Sequence, residues 1–289
     1  MRSSFRRRAT AALAATALLA AACGDADVDD LDPTDDGEET TEQEATDDEA
    51  ADEAAAADLD LVADGTLTVC SDVPFPPFEF EDADAPSGYS GFDIDLMQEF
   101  ADRLDLELDV VEVGFDGLQS GATLAAGQCD LAASAMTITE ERAERLEFSD
   151  PYYDSLQSLI VLTDGEVTSL EDVAGQALGV QSGTTGAEFA EENAPEDADL
   201  IEFESGPDLF TAMQAGQIVA GLQDLPVNAE QARDDDDFEI ADEFDTGEQY
   251  GFAAAQGNTD IVAVINDLLA EVRDDGTYDE LFDEYFAAE

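Results

Sequence analysis

Histidine and lysine are absent from this 289-residue chain, and its nine cations, all arginines, face 74 acidic residues for a formal net charge of −65. Without histidine the commonest general base near neutral pH is missing. No nucleophile–base pair or cluster of metal-ligand type is visible either, so neither catalysis nor a cofactor is expected. Charge of this sign and size excludes nucleic acid as a partner, because phosphates would be repelled. The N-terminal apolar stretch, Ala9 to Ala22, is shorter than the ~20 residues a membrane-spanning helix needs. Cysteine occurs three times, at positions 23, 70 and 129.

Four of the nine arginines crowd the N-terminus (Arg2, Arg6, Arg7, Arg8), which leaves Arg103, Arg142, Arg145, Arg233 and Arg273 for the rest. Arginines ahead of an apolar stretch read as an export signal over residues 1–22. The segment Leu18-Leu19-Ala20-Ala21-Ala22-Cys23 resembles a bacterial lipobox, with Ala20 where leucine is usual. That resemblance implies cleavage before Cys23, lipidation of its thiol and anchoring to the outer face of the cell membrane. An ordinary secretion signal is the alternative, and the arginine run leaves a twin-arginine route open. Removing residues 1–22 leaves five arginines against 74 acids, a formal −69. Such a surface repels itself in dilute buffer and stays hydrated when salt screens it, which suggests a high-salt habitat. Residues 23–60, rich in Asp, Glu, Thr and Ala, carry too little apolar surface to fold and read as an acidic, disordered tether.

Cys70 and Cys129 remain after Cys23. An even remainder in an exported chain suits a disulfide. Both, however, fall at candidate parallel strands of one sheet, where an offset register would separate them, so two buried free thiols stay open as the alternative.

From Gly65 onward, strand-like and helix-like patterns alternate. Leu67–Cys70, Leu106–Val113 and Leu131–Met136 read as strands, and 94–104 and Leu118–Ala126 as helices. A second series has strands at Leu159–Leu162, Ala177–Val180 and Val219–Leu222, with helices at Thr185–Asn193 and Asp208–Ala215. The helical tail, Ile261–Asp274 and Tyr278–Phe286, is expected to pack on the first series. This order implies an α/β fold, and about 225 folded residues suggest two lobes.

Six stretches carry a family resemblance: Asp72-Val-Pro-Phe75-Pro-Pro-Phe78, Gly91-Phe-Asp-Ile-Asp-Leu96, Ala135-Met-Thr-Ile-Thr-Glu-Glu-Arg142, Phe148-Ser-Asp-Pro-Tyr-Tyr153, Gly179-Val-Gln-Ser-Gly-Thr-Thr185 and Asp275-Gly-Thr-Tyr278. In this order, from Gly65 to the C-terminus, they resemble bacterial solute-binding protein family 3, the amino-acid-binding proteins that feed ABC importers. The resemblance implies a two-lobe periplasmic-binding-protein fold of type II with its ligand between the lobes. Lobe one would comprise 65–157 and 251–289, and lobe two 158–250, joined by crossings near 154–158 and 249–253.

An amino acid needs a cation for its carboxylate and an anion for its ammonium. Arginine suits the first because its planar fork makes two parallel bonds to a carboxylate. The resemblance gives that role to Arg142; a surface ion pair with Glu140 or Glu147 is the alternative. It gives the ammonium to Asp224, in Ala220-Gly-Leu-Gln-Asp-Leu-Pro226, just past a buried strand where ligands of α/β lobes gather. Thr184 and Thr185 open a helix whose amides can add donors, and Thr184 can equally be a plain cap. Ser134 and Thr137 resemble the family's hydroxyl and backbone contacts, with ordinary strand-end hydrogen bonding as the alternative. Asp72, Phe75, Phe115, Ala135 and Gly186 would shape the side-chain pocket, with the two phenylalanines enclosing an aliphatic or planar group.

With so few cations, a ligand with an acidic side chain is disfavoured, and glutamine, histidine, arginine or lysine is expected. The function implied is that of a membrane-anchored, monomeric binding lipoprotein that closes on its ligand and docks on a permease. Two alternatives are a cyclohexadienyl dehydratase-like enzyme with Asp72 as its acid, and a binder of an opine- or ectoine-like derivative.

Overall fold

The computed structural model describes residues 59–287. The expected signal peptide, Cys23 and residues 23–58 of the tether lie outside the described residues.

The apolar runs build two five-stranded sheets. In the first, β1 (Thr66–Ser71) leads through a hairpin, β2 (Phe80–Glu81) and β3 (Tyr89–Ser90), into helix α1 (Phe92–Arg103) and then β4 (Glu107–Glu112). Short helices α2 (Phe115–Gln119) and α3 (Ala122–Ala125) precede β5 (Leu131–Ala132), and α4 (Glu140–Ala143) precedes β6 (Leu146–Phe148). β7 (Tyr153–Leu162) opens the second sheet, followed by β8 (Ala177–Gln181), α5 (Thr185–Asn193), β9 (Asp199–Phe203), α6 (Gly206–Gln214), β10 (Ala220–Asp224), α7 (Leu225–Asp234) and β11 (Phe238–Tyr250). The chain returns to the first sheet as β12 (Ala253–Ala255) and ends in α8 (Thr259–Asp275) and α9 (Thr277–Phe286). Strand orders are β4-β1-β5-β12-β6 and β11-β7-β10-β8-β9.

β1 is parallel to both β4 and β5, and β8 to both β9 and β10, as crossover helices require. The five residues of β1 after Thr66 are buried, which is why the strand reads as a continuous apolar run. On α1, Phe92, Leu96, Met97 and Phe100 form the inward face. Its N-cap, Gly91, has φ 121°, and a Cβ there would lie 2.3 Å from the Phe78 carbonyl oxygen, so the Gly91-Phe-Asp motif requires glycine. As the tail's amphipathic pattern implied, α8 packs on β12 and β6 and α9 packs on α1, burying Ile261, Ile265, Leu268, Leu269 and Val272.

Three expectations are corrected. The helix expected over 118–126 is two helices, broken at Gly121 with φ 74°. The strand expected over 131–136 ends at Ala132; the chain turns at Ala135, φ 44°, and Thr137 bridges to Tyr250. Finally, Cys129 lies in the loop after α3, outside the parallel register. Its Cα is 5.7 Å from that of Cys70, and the two are disulfide-bonded, so the free-thiol alternative does not hold. Strands β9 and β11 and helix α7 were not anticipated. β11 is an edge strand whose residues alternate between half-buried and exposed, and its acidic side chains hide the strand period.

The Cys70–Cys129 bridge links residues 59 apart in sequence, and closing a loop of that length is worth about 4 kcal/mol in the chain-entropy account. Replacing both cysteines by serine is expected to lower unfolding free energy by about 2–4 kcal/mol, measured by urea titration, and to steepen the slope because the unfolded chain expands. An unchanged midpoint would show that the bridge does not constrain the unfolded chain.

Candidate ligand-binding site

The ends of strands from both sheets converge on one cavity of about 300 Å³. Asp72 follows β1, Ser134, Ala135 and Thr137 follow β5, Gln181 ends β8, and Asp224 ends β10. Phe75, Phe115, Arg142, Thr184 and Thr185 complete the lining. Ten of the eleven residues singled out in the sequence as site candidates therefore meet in one place. Gly186 does not line it: a Cβ there would lie 3.3 Å from the Leu222 carbonyl oxygen and 3.4 Å from the Gln223 Cα, so the glycine lets α5 pack closely on β10.

Arg142 sits in α4, whose N-cap Thr139 accepts from the Arg142 backbone N–H at 3.1 Å. Its side chain is only 4% exposed. Nη1 donates to the Thr137 carbonyl at 2.7 Å and Nη2 to the Gly183 carbonyl at 3.0 Å, and the guanidinium lies over the Phe115 ring, 5.2 Å from its centroid. The surface ion pair with Glu140 or Glu147 is not formed, and among the described residues no carboxylate lies within 4.0 Å of this guanidinium. Arg145 takes the surface role instead, bonding Glu141 at 2.6 Å. Burial pulls the Arg142 pKa below its ordinary value, opposed by the fields of Glu188, Asp224, Glu248 and Glu141. An arginine stays charged regardless. Two of its five N–H groups are engaged by carbonyls, and a buried cation without an anion is costly.

Asp224 is buried, accepts from Tyr250 Oη at 2.5 Å and from Gln157 Nε2, and is pushed up to about 7 by burial and then by Glu248. Asp72 is pushed up to about 6 by burial, against the opposing bond that Gln181 Nε2 donates at 2.7 Å. That bond joins the two halves.

The hydroxyls are largely engaged by the protein. Ser134 Oγ accepts from the Asp72 N–H at 3.0 Å and donates to Glu79 at 2.6 Å. Its proton thus goes to Glu79 and a lone pair to the Asp72 N–H, the strand-end hydrogen bonding that was the alternative to a ligand contact. Thr184 Oγ1 accepts from the Ala187 N–H at 3.1 Å and donates to the Gln181 carbonyl at 2.8 Å, so it is a true cap. Ala135, held at φ 44°, donates its N–H to buried Asp93 at 2.8 Å. Phe75 packs toward Gly206 of the second half, and one face of Phe115 carries the Arg142 guanidinium.

Sequence reasoning missed Gln181, Gln157, Tyr250 and Glu248. Gln157 is fully buried within β7. A glutamine set in the apolar run Leu156–Leu162 was the available signal, because a buried amide needs partners. Glu248 carried no signal among so many acids. Together the residues present a cation on the first half and carboxylates reached from both halves. This arrangement can hold a small zwitterion by both of its charges.

The chain matches the family described as "Bacterial extracellular solute-binding proteins, family 3" over residues 67–288. A relative in Escherichia coli (strain K12), "Putative ABC transporter arginine-binding protein 2", is 31% identical over 235 residues, covering 79% of this chain and 93% of that protein. A solved structure of an ancestral arginine-binding protein bound to arginine is similar at TM-score 0.71 and 33% identity, over 77% of this chain and 99% of that one. So is that of an ancestral amino acid-binding protein described as a precursor of cyclohexadienyl dehydratase, at TM-score 0.71 and 34% identity over 77% and 96%. These neighbours have two lobes, and this chain shares that fold.

Asp72, Asp93 and Asp224 are raised to about 6, 7 and 7, against about 4 in an unfolded chain. Between those values the folded state holds protons that the unfolded state has released. The stability contribution of these groups is complete below about pH 4 and is lost as pH rises through about 7. Urea midpoints of the ligand-free protein in concentrated salt should therefore be higher at pH 5 than at pH 8. Asp224→Asn should flatten the slope, and an equal slope in that variant would contradict the assignment.

Proposed function

Because this chain belongs to the bacterial extracellular solute-binding proteins of family 3, we propose that it captures one polar or cationic amino acid, arginine first among them, for an ABC importer. The observation that carries this reading is the buried Arg142 guanidinium, without a carboxylate partner among the described residues, lining the same cavity as Asp224. In the proposed complex Arg142 holds the ligand's α-carboxylate, aided by the backbone amides at the start of α5. Asp224 takes the ammonium. Asp72, steadied by Gln181, meets a hydrogen-bond donor on the ligand side chain between Phe75 and Phe115. Among the described residues Arg142 is the one cation lining the cavity, so an acidic side chain would meet Asp72 without a counter-charge.

Lobe one (65–157 with 251–289) binds first, and lobe two (158–250) closes about the crossings near 154–158 and 249–253, a hinge of two strands. The closed form docks on the permease. Cys23 carries the lipid that holds the monomer at the outer face of the membrane, and the acidic tether and surface suit concentrated salt. Among the described residues no helix is long and apolar enough to cross a membrane. The protein acts as a binder and not as an enzyme. A dehydratase reading would rest on Asp72 alone, whose carboxylate is already engaged by Gln181.

Thermal-shift screening of the twenty amino acids, opines and ectoine in concentrated salt should raise the melting temperature with arginine or another polar amino acid. Calorimetry on that ligand is expected to give micromolar affinity or tighter, about −8 kcal/mol or better. Arg142→Ala is expected to abolish binding of every amino acid, and retained tight binding would remove the clamp assignment. Incubation with prephenate should leave phenylpyruvate absorbance flat.

A further inference from the structure

Glu248 is not among the residues lining the cavity, yet it binds two that are. Its Oε2 accepts from Thr137 Oγ1 at 2.9 Å, on the first half, and from Thr185 Oγ1 at 2.8 Å, on the second. Thr246 Oγ1 donates to Oε1 at 3.0 Å, and Gln157 Nε2, which also donates to Asp224, lies 3.2 Å from each oxygen. The carboxylate is thus the common acceptor of a network that spans the cleft.

A local irregularity aims it there. On β11, Phe244 pairs with Gln157 and Glu248 with Ser155, so three residues on β11 oppose one on β7. Gly247, at φ 66°, lies in this bulge. Bulges beside binding sites re-aim a side chain, and here the re-aimed side chain comes from a strand that carries the chain back between the two halves.

The geometry also fixes the polarity of the site. A threonine hydroxyl has one proton, and both cleft threonines give theirs to Glu248. Their remaining lone pairs can only accept.

We propose that Glu248 is a positioning residue coupling ligand capture to closure: from the returning strand it ties Thr137 to Thr185 across the cleft and makes both hydroxyls acceptors for a ligand ammonium. The acceptor role rests on the amino-acid reading above; the tie between the halves does not.

Glu248→Ala removes the acceptor, whereas Glu248→Gln keeps one amide oxygen for the two threonines, losing the charge and the second acceptor oxygen that Thr246 and Gln157 use. In the ligand-free full chain, hydrogen exchange at 137–143 and 183–187 should quicken about tenfold or more in Glu248→Ala, with other core amides unchanged, and return to within about twofold of wild type in Glu248→Gln. With L-arginine as the probe, stopped-flow release should follow the same order. Unchanged exchange in Glu248→Ala, or equal loss in both variants, would overturn the tie. A wild-type chain that takes up no L-arginine or other amino acid would instead sink the amino-acid reading, and exchange in the ligand-free variants would still decide the role of Glu248.

Discussion

A guanidinium withdrawn from water without a counter-ion is the constraint around which this structure is arranged. Arg142 is held by two main-chain carbonyls and an aromatic face, one carbonyl from each half. Carbonyl dipoles satisfy part of its donor set but do not neutralise it, and desolvation depresses its pKa. A full ion pair would have been less costly in the empty protein, and this chain offers more acids than any cation could need. Among the described residues none of them lies within 4.0 Å of the Arg142 guanidinium, and in the proposed complex that charge is left for the ligand's carboxylate.

The opposite side of the cavity is assembled from carboxylates kept apart from Arg142 and loaded with donors. Asp224 is bonded by Tyr250 and Gln157, and Asp72 by Gln181. Behind them Glu79 and Asp93 are fully buried. Glu79 is raised well above the ordinary carboxylate range by burial and then by Asp93, and its Oε2 has no partner. A carboxyl in that position is stable in its neutral form. Glu79 and Asp93 serve the loop behind the cavity, whereas Asp72 and Asp224 line it. Glu79 receives the Ser134 proton, and Asp93 receives the Ala135 N–H and the Tyr152 hydroxyl.

Much of this was legible in the sequence where a residue type is rare or a pattern periodic. Arg142 stood out because cations are scarce, and of the groups it binds its motif holds Thr137 alone. Helical periodicity gave α1, α5 and α8 because one face of each carries most of the apolar side chains, and short buried runs gave β1, β8 and β10. What was hidden followed from context. β11 is an edge strand of acids, so its period carries no apolar signal. Cys129 escaped because a loop, not a strand, sets its distance from Cys70. Glu248 is indistinguishable in composition from dozens of solvated acids and acquires meaning only from a bulge, which no local pattern in β11 announces. The resemblance gave Ser134 a ligand contact with strand-end hydrogen bonding as the alternative, and Thr184 could equally be a cap; the structure shows both hydroxyls bonded within the protein.

The same scarcity locates selectivity. Arg103 is bound by Glu99, Glu271 and Asp275, Arg145 by Glu141, and Arg233 by Glu230 and Asp234. Arg273 bonds the Pro151 carbonyl and lies over Tyr278. These four support the fold or its surface, and Arg142 is left to face the cavity. Outside the cleft, a net charge of −65 favours approach of any cation, but at high salt that field decays within a few ångströms. Discrimination must then come from groups inside, where water is excluded and fields are not screened. In the proposed complex a ligand presents a carboxylate to Arg142 and donors to Asp72 and Asp224. One with a second carboxylate would set it against an acid with no cation to offset it, so selection against acidic amino acids follows from what the cavity omits as much as from what it contains.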